Sequence, residues 1–350
     1  MSRDASMNVD PAGRYARQIL LPPIGESGQK ALAASSVAIV GCGALGCVSS
    51  TLLARAGVGR IRIIDRDFVE LSNLQRQVLF DEDDVKAMTP KAIAAAQKLS
   101  RVNPDIQIDG VVSDLNPDNA VDLLGGVTLI VDGTDNFETR FLINDVSIRH
   151  DIPWIYGACL ASYGLTMNIL PGETACLRCV METAPPPGSV PTCDTAGVLG
   201  PIVSIVAGFQ SAEAIKLLSG NREAMTRDLV SIDAWSGTFT RVSVPKGGGR
   251  RRCATCDGME FAALASRGTR SATLCGRDAV QVTPEGRPAI DLKDLAARLS
   301  SSMNVQVSEF MLRFSAEGLS VSVFTDGRAI VNGTKDPVVA RGVYSRYVGA

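Results

Sequence analysis

Short apolar runs separated by segments of helical periodicity fill the first half of the chain. Five of these runs predict β-strands, and apolar residues spaced three or four positions apart predict helices between them. The predicted strands are SVAIV running into the turn GCGALG (36–46), RIRIIDRD (60–67), IQIDGVV (106–112), GVTLIVDG (126–133) and IPWIYGA (152–158). Because strands that alternate with helices form parallel sheets covered on both faces, the pattern predicts a doubly wound α/β fold.

The second half of the chain has a different pattern. After an alternating strand, YGLTMNILPG, a helix is predicted near 200–219, and two further strands follow it, LVSIDAW and TFTRVSV. The stretch PKGGGRRR then has the composition of a linker. Shorter elements beyond it predict a small α+β domain with a last helix at about 335–347. We therefore divide the chain into a first domain, 1–257, and a linker with a small domain, 258–350.

Composition narrows the possible function classes. The 350 residues are 45% hydrophobic and carry a net charge of −2, so the chain has no general attraction to nucleic acid or to anionic lipid. No apolar run in the sequence approaches the ~20 residues that span a bilayer, and the acids among the first ten residues are unlike a signal peptide. These features predict a cytoplasmic protein with neither a nucleic-acid partner nor a membrane partner. The chain has a single histidine, His150, so any histidine-assisted step must use this one residue.

The strand-to-helix turn GCGALG carries the pattern GxGxxG. Its glycines, Gly41, Gly43 and Gly46, allow backbone amides and the N-terminus of the next helix to bind a phosphate. Asp65, at the end of the following predicted strand, can accept a hydrogen bond from a ribose hydroxyl. Taken alone, this Rossmann-like pattern suits NAD or FAD as well as ATP.

Charged residues beyond the ribose acid favour a triphosphate. Arg76 follows that acid, Lys91 begins a predicted helix, and Asp135 follows the fourth predicted strand. Since the carboxyl ends of the strands meet at one crevice in a doubly wound sheet, these three side chains can face one phosphate chain. The two cations would neutralise it and the carboxylate would hold Mg²⁺. For each residue taken singly, a surface salt bridge is the alternative.

Five cysteines indicate a second kind of chemistry. CLRC supplies Cys176 and Cys179, and CATC supplies Cys253 and Cys256. In a reducing compartment, two CxxC pairs fit a closed tetrahedral zinc site better than disulfides. A redox CxxC normally opens a helix of a thioredoxin-like unit, and neither pair is so placed. Cys193 remains outside the two pairs, either as a small buried thiol or as a reactive one.

Eight motifs occur in the order typical of one enzyme family. They are RYARQ, GCGALG, DRDFVELSNLQRQ, TPKA, DGTDNFETR, CLRC, CDTAGVLGP and CATC. Through them, residues 14 to about 257 resemble the ThiF/MoeB family, which activates ubiquitin-like sulfur carrier proteins. The resemblance implies adenylation of the carrier's C-terminal Gly-Gly carboxylate with ATP and Mg²⁺, which releases pyrophosphate. It further implies sulfur transfer onto that carboxylate, with a persulfide as the sulfur donor, and a homodimeric enzyme.

The same resemblance implies roles for individual residues. Arg17, in RYARQ, would reach the active site of the neighbouring subunit, and Asp135 would position the metal. Cys193, which precedes the sequence GVLGP, would lie in a mobile loop and bond covalently to the activated carrier. The remaining residues would bind the nucleotide: Gly41, Gly43 and Gly46 would line it, Asp65 would hold the ribose, and Asn73, Arg76 and Lys91 would bind the phosphates. The carrier carboxylate is already ionised at neutral pH, so this reaction needs no histidine as a base.

Three alternative functions stay open at this point. A Rossmann oxidoreductase would bind NAD and would have no use for Arg76, Lys91 or Asp135. A non-catalytic scaffold would not need an intact set of phosphate ligands. A related enzyme could activate another peptide or a small-molecule carboxylate. The small domain resembles an extension found on some members of the family, and it could dock the carrier, present a persulfide on Cys275 or cover a sheet edge.

Overall fold

The computed structural model of the chain describes residues 13–185, 191–249, 252–266, 271–273, 278–284 and 290–349. These residues form two β-sheets, of which the larger has eight strands. In chain order its strands are β1 (Ser36–Val40), β2 (Arg60–Asp65), β3 (Gln107–Val112), β4 (Leu129–Asp132), β5 (Trp154–Leu160), β6 (Tyr163–Ile169), β7 (Leu229–Asp233) and β8 (Thr238–Val242).

The larger sheet is mostly parallel. Its order is β3-β2-β1-β4-β5-β6-β7-β8, with β1 to β5 parallel to one another and β6 to β8 added in antiparallel fashion. The five predicted parallel strands are all present, so the predicted doubly wound fold is confirmed. The chain leaves β1 for β2 on one side and later returns to β4 on the other, which makes the gap between β1 and β4 the switch point of the sheet.

Helices cover both faces of this sheet. In chain order they are α1 (Ala16–Ile19), α2 (Gly25–Ala34), α3 (Ala44–Ala56), α4 (Glu82–Lys86), α5 (Lys91–Val102), α6 (Ala120–Leu124), α7 (Phe137–Arg149), α8 (Leu177–Val180), α9 (Cys193–Ala196), α10 (Gly200–Leu218) and α11 (Ala262–Ala265).

Strand β1 shows why the apolar runs are continuous. Val37 and Ile39 pack into a core that contains residues of α2, α3, α5 and α10. Ala38 and Val40 point the other way, into a core formed with α6 and α7. A strand buried on both faces has no polar alternation, because each side chain meets a covering helix.

Helix α10 is long and apolar enough to cross a membrane by length and composition alone. In the structure half of its most apolar window is buried inside the protein, and the helix packs against α3 and β5. Core helices of globular proteins share this composition, so the helix is accounted for by its packing.

The smaller sheet has six strands in the order β11-β12-β13-β14-β10-β9. They are β9 (Ser271–Thr273), β10 (Ala279–Val282), β11 (Val305–Val307), β12 (Met311–Ala316), β13 (Leu319–Phe324) and β14 (Ala329–Asn332), and the helices of this part are α12 (Leu292–Leu299) and α13 (Pro337–Tyr347).

The small α+β unit predicted from the sequence is thus confirmed. All of its strand pairs are antiparallel, and α12 and α13 pack on one face of its sheet. Between the two sheets, Phe261 and Leu264 pack against the core of the larger one. The domain boundary after residue 257 stays a prediction.

Candidate nucleotide and zinc sites

The candidate nucleotide site lies at the switch point of the larger sheet. The glycine turn 41–46 follows β1, and residues 133–135 follow β4, which pairs with β1 in parallel. Both segments therefore leave the carboxyl edge of the sheet side by side. Doubly wound sheets bind their ligands in the crevice beyond this edge.

Close backbone packing requires two of the glycines in the turn. A Cβ on Gly41 would lie 2.7 Å from the Gly133 carbonyl, and one on Gly46 would lie 1.9 Å from the Gly41 oxygen. Gly41 also has a φ of +85°, which residues with side chains rarely adopt. At Gly43, by contrast, the nearest atom of the described residues to an added Cβ would be that of Gln77, at 3.9 Å. Packing of the described residues therefore does not require Gly43, and among them the glycine leaves open space at the N-terminus of α3.

The N-terminus of α3 can bind an anion. Among the described residues, no side chain caps this helix at its N-cap residue, Gly43. The first amides of a helix lack partners within it, and together with the helix dipole they attract phosphate.

Asp65 connects the predicted ribose position to the glycine turn. Its Oδ2 accepts a hydrogen bond from the Cys42 amide at 2.6 Å, and its Oδ1 accepts one from the Asp67 amide at 2.6 Å. Burial raises the pKa of the Asp65 carboxyl, and nearby Lys91 opposes that shift. Each carboxylate oxygen can accept more than one hydrogen bond, so Asp65 retains capacity for a ribose hydroxyl. Its role as the ribose ligand stays a prediction.

Lys91 is held at the same edge of the sheet by an acid that the sequence analysis missed. The Lys91 ammonium lies 3.3 Å from Asp67 Oδ2, and Lys91 is only 4% exposed. Pro90, immediately before it, forms a β-bridge with Phe68, which joins the start of α5 to the loop after β2. The motif DRD could have indicated Asp67, because residues two apart on an extended chain point to the same side.

The turn at 71–77 lies over the glycine turn through Gln77, which is buried beside Gly43. Asn73 has a structural task there: it is 1% exposed, and its Oδ1 accepts a hydrogen bond from the Glu70 amide at 3.1 Å. Arg76 is half-buried and donates to the Ser72 carbonyl within its own turn, at 3.0 Å. The phosphate-binding roles of Asn73 and Arg76 stay predictions.

Asp132, the acid at the end of β4, has a structural role. Its Oδ2 lies 3.2 Å from Arg140 Nε, and its Oδ1 accepts hydrogen bonds from the hydroxyl and the amide of Thr134. Burial raises the pKa of Asp132, and the Arg140 guanidinium opposes that shift. An acid whose oxygens are used in this way holds β4 to α7 and has little capacity left for a ligand.

Asp135 differs from its neighbours in the same segment because it is exposed. Asn136, next to it, is the N-cap of α7 and accepts a hydrogen bond from the Thr139 amide at 2.8 Å. Burial disfavours the charge on Arg66, but nearby carboxylates, Asp135 among them, outweigh it and raise the pKa of that guanidinium. Asp135 is therefore the acid of this segment that faces solvent beside the crevice. Its role as a metal ligand stays a prediction.

Arg17 lies at the other end of α3 from the glycine turn. The side chain of Gln18 donates to the Ala56 carbonyl, at the last residue of α3, and the Tyr15 ring packs on Gly57, just beyond it. The 13 residues of α3 span about 20 Å at a rise of 1.5 Å each. The exposed Arg17 does not reach the glycine turn of its own chain.

The two CxxC pairs come together as one compact cluster. Their four Sγ atoms all lie within 4.8 Å of one another, with Cys176–Cys253 at 3.7 Å and Cys179–Cys256 at 3.5 Å. A tetrahedron of thiolates around zinc, with Zn–S distances of ~2.3 Å, has S–S edges of about 3.8 Å. Three of the four residues are buried. The donor set, its spacing and its burial fit a closed structural zinc site.

Residues 245–249 of the predicted linker PKGGGRRR support this cluster instead of acting as a linker. Lys246–Gly249 forms a tight turn with positive φ at Gly247 and at the two glycines after it, and Gly247 is buried. The Gly247 amide donates to Cys179 Sγ at 3.2 Å. The prediction of a linker was wrong here because three adjacent glycines serve a tight turn at the cluster.

Cys193 begins the short helix α9 of four residues, and the mobility that the resemblance implied for this position stays a prediction. The end of its segment is anchored to the turn between β5 and β6, because the Ala161 amide donates to the Gly197 carbonyl and the Leu199 amide donates to the Ala161 carbonyl. The side chain of Cys193 and the whole of Cys275 lie outside the described residues. A covalent role of Cys193 stays a prediction.

Comparison with known proteins supports the resemblance to the ThiF/MoeB family. Residues 15–253 match the sequence model of the ThiF family. A protein of Bacillus subtilis (strain 168) described as a sulfur carrier protein ThiS adenylyltransferase is 41% identical over 339 residues, which cover 96% of this chain and 99% of the relative. The SAMP-activating enzyme E1 of Haloferax volcanii is 40% identical over 237 residues, which cover 68% of this chain and 87% of that protein.

Solved structures extend the likeness at the level of the fold. A crystal structure of E. coli MccB with MccA-N7isoASN has a TM-score of 0.61 to this structure and 23% sequence identity, and the match covers 69% of this chain and 75% of that one. The family model spans more than half of the chain, and the Bacillus relative matches it nearly from end to end. The chain belongs to the ThiF family.

Proposed function

We propose that this protein is an adenylyltransferase that uses ATP to activate the C-terminal Gly-Gly carboxylate of a ubiquitin-like sulfur carrier protein, in the cytoplasm. The nearly full-length match to a ThiS adenylyltransferase carries the proposal. A ThiS-type carrier is therefore our first candidate substrate. The gathering of the glycine turn, Asp65 and Lys91 at the switch point also supports the proposal, because these groups suit a nucleotide with several phosphates.

The residues of the site would divide the work among them. The open space at Gly43 and the amides of α3 would receive phosphate oxygens, and Asp65 would accept from the ribose. Lys91, oriented by Asp67, would supply a positive charge at a set position, and Arg76 would add a second. Asp135 would hold Mg²⁺, which supplies further charge neutralisation when bound. The attacking carboxylate is already an anion, so the reaction depends on charge and in-line positioning rather than on proton transfer.

Exchange of radiolabelled pyrophosphate into ATP tests this function. We expect exchange only when a Gly-Gly-terminated ThiS-type carrier is added, and none with the same carrier lacking its last glycine. Exchange with another Gly-Gly protein, such as a SAMP-type modifier, and not with the ThiS-type carrier would show that the substrate is that other protein. Exchange driven by a small carboxylate or an unrelated peptide would favour the alternative substrate class. Failure of the enzyme to bind ATP under all of these conditions would contradict the proposal.

We further propose that the enzyme acts as a homodimer in which Arg17 serves the partner's site. Within one chain, Arg17 lies about a helix length from the glycine turn, and Leu20 and Leu21 beside it are 73% and 52% exposed. Two exposed large apolar side chains beside an exposed arginine are typical of a surface that contacts another subunit.

Mixing two inactive variants tests the sharing of Arg17 between subunits. In heterodimers of Arg17→Ala with Asp135→Ala, one of the two sites has both residues intact, so we expect up to half of the wild-type exchange per heterodimer to return. The measurement is pyrophosphate exchange after subunit exchange has been verified by native mass spectrometry. No recovery in verified heterodimers would remove Arg17 from the partner's site.

Sulfur transfer after adenylation is the proposed task of Cys193, with an external persulfide as the sulfur donor. Adenylation needs no thiol, so Cys193→Ser should keep wild-type pyrophosphate exchange and zinc content. It should lose any covalent enzyme–carrier adduct on non-reducing gels and should slow formation of the carrier thiocarboxylate, followed by mass spectrometry. A thiolate near neutral pH is the nucleophile in such adducts. Thiocarboxylate formation at the wild-type rate would show that sulfur reaches the adenylate without Cys193.

A further inference from the structure

One face of the smaller sheet packs on the loop that follows β2 and Asp65. Met311 and Phe324 form a hydrophobic cluster with Phe68, three residues after Asp65. The rings of Phe68 and Phe324 are stacked, with their centroids 5.1 Å apart and their planes at 13°. Since Met311 is fully buried and Phe324 is 2% exposed, this face of the sheet is an interior contact and not a free surface.

The Phe324 ring also contacts a buried cation, Arg328. Arg328 is 1% exposed, and its guanidinium carbon lies 5.1 Å from the centroid of the Phe324 ring. Its Nε donates to Asp326 at 2.5 Å, whereas neither terminal nitrogen has a hydrogen-bond partner among the described residues. A cation near an aromatic face is stabilised by the quadrupole of the ring. Phe324 therefore contacts both the loop after β2 and a charge of its own sheet.

A second contact of the small domain is polar, and it reaches this loop through Asp114, which follows β3. Gln281, on β10, donates through Nε2 to Asp114 Oδ2 at 3.2 Å. Arg66 donates to the other oxygen of Asp114 at 2.8 Å, and its Nε lies 3.8 Å from Asp67 Oδ1. The second oxygen of Asp67 is the partner of Lys91, at 3.3 Å. A continuous series of polar contacts thus runs from the small domain to Lys91.

The apolar contact ends on Phe68, and the polar series passes from Asp114 through Arg66 and Asp67, so both involve the stretch 66–68. This stretch follows directly on Asp65 and includes Asp67, so its position sets where the Asp65 carboxylate and the Lys91 ammonium lie. Loops at the carboxyl edge of a sheet are more mobile than the strands they follow. Ligand-binding groups must nevertheless be held to within about 0.5 Å of the productive geometry.

We propose that the small domain is a positioning element of the nucleotide site, with Phe324 and Gln281 as its positioning residues. By holding the loop after β2, they preset Asp65 and Lys91 for ATP before it binds. The inference rests on the proposed function and gives the small domain a task in ATP recognition rather than in carrier docking. Phe324 acts through Phe68, and Gln281 acts through Asp114 and Arg66.

Binding of ATP to the full-length protein tests this inference without any carrier. We expect Phe324→Leu and Gln281→Leu each to raise the Kd for Mg·ATP, measured by isothermal titration calorimetry, by roughly fivefold or more, since each removes a contact that orients the charged groups. In pyrophosphate exchange, the KM for ATP should rise by a similar factor, while the KM for the carrier stays at the wild-type value. If the two residues served only folding, the substitutions would lower Tm without raising the KM for ATP selectively over the KM for the carrier.

Phe314→Leu is the matched control. Phe314 lies on the opposite face of the same sheet, is also 2% exposed, and packs near Tyr347 of α13, with ring centroids 5.7 Å apart. The same substitution there loosens the small domain without touching the loop after β2, so the Kd for ATP should stay at the wild-type value. In a double-mutant cycle, Phe68→Leu and Phe324→Leu should raise the Kd together by less than the product of their separate effects.

Each outcome decides one question. Wild-type ATP affinity in both Phe324→Leu and Gln281→Leu would overturn the inference, and so would an equal loss of affinity in Phe314→Leu. If Phe324→Leu does not fold, Gln281→Leu alone decides, because it leaves the apolar contact intact. Failure of the wild-type protein to bind ATP would instead contradict the proposed function.

Discussion

Replacing Asp135 by asparagine should lower carrier-dependent pyrophosphate exchange by about 10²–10³-fold or more. The substitution keeps the size of the side chain and removes the charge that would hold Mg²⁺ next to the reacting phosphates, and loss of one such group costs about that factor. Arg76→Ala should act in the same direction and to a similar extent, because it removes a positive charge from the transition state. The measurement is the initial rate of exchange at saturating ATP, Mg²⁺ and carrier.

Glu138→Gln is the control for Asp135→Asn. Glu138 lies three residues further on, in the first turn of α7, and is also exposed. Glu138→Gln neutralises one acid of the same segment. A general change in local charge would therefore lower the exchange rate in both variants, whereas loss of a metal ligand would lower it in Asp135→Asn alone. Exchange at the wild-type rate in Asp135→Asn would mean that the metal is held elsewhere.

Loss of a single cysteine from the cluster should have the largest effect on stability. In Cys253→Ser we expect zinc content to fall well below one ion per chain and the free energy of unfolding to drop by several kcal/mol, because structural zinc contributes about 10–16 kcal/mol of binding energy to folded zinc-finger peptides. Cys253 is 1% exposed and lies in the same hydrophobic core as α7 and α8. Metal analysis and thermal unfolding measure the two effects together.

Cys159→Ser is the matched control for the zinc prediction. Cys159 lies outside the cluster, on β5, is half-buried and is 3.9 Å from the Ile202 carbonyl. The same atom exchange there should leave zinc content unchanged and cost little stability. Full zinc occupancy in Cys253→Ser would remove this residue from the ligand set.

The four-cysteine cluster also has an outer support that the sequence did not suggest. Asp145, on α7, is fully buried, accepts hydrogen bonds from the amides of Ala263 and Leu264, and lies 3.7 Å from Arg178 of α8. Burial raises the pKa of Asp145, and Arg178 opposes that shift. One carboxylate thus holds the segments beside both CxxC pairs to α7, so loss of zinc should disturb the packing around α7 as well.

The sequence by itself determined those features that depend on local pattern. The strands of the parallel sheet could be predicted because burial on both faces requires continuous apolar runs, as in SVAIV. Gly41 and Gly46 could be predicted because the turn admits no side chain at either position. The four-cysteine cluster could be recognised because each CxxC pair places two thiols within reach of one ion. The same local reasoning identified Asp65, Lys91 and Asp135 as groups at strand and helix ends.

Only the tertiary structure decided which of these groups have partners and what holds them. Asp132 and Asp135 are both acids next to β4, but one is buried against Arg140 and the other is exposed. The contact between Gln281 and Asp114 joins residues 167 positions apart, so it depends on how the two sheets pack and not on any motif. Composition also misled at Gly247, because a glycine that is required for a positive φ looks the same in a sequence as one in a flexible linker. Sequence periodicity does not encode long-range packing. That packing therefore decides whether a charged residue is paired or exposed and whether a glycine lies in a required turn.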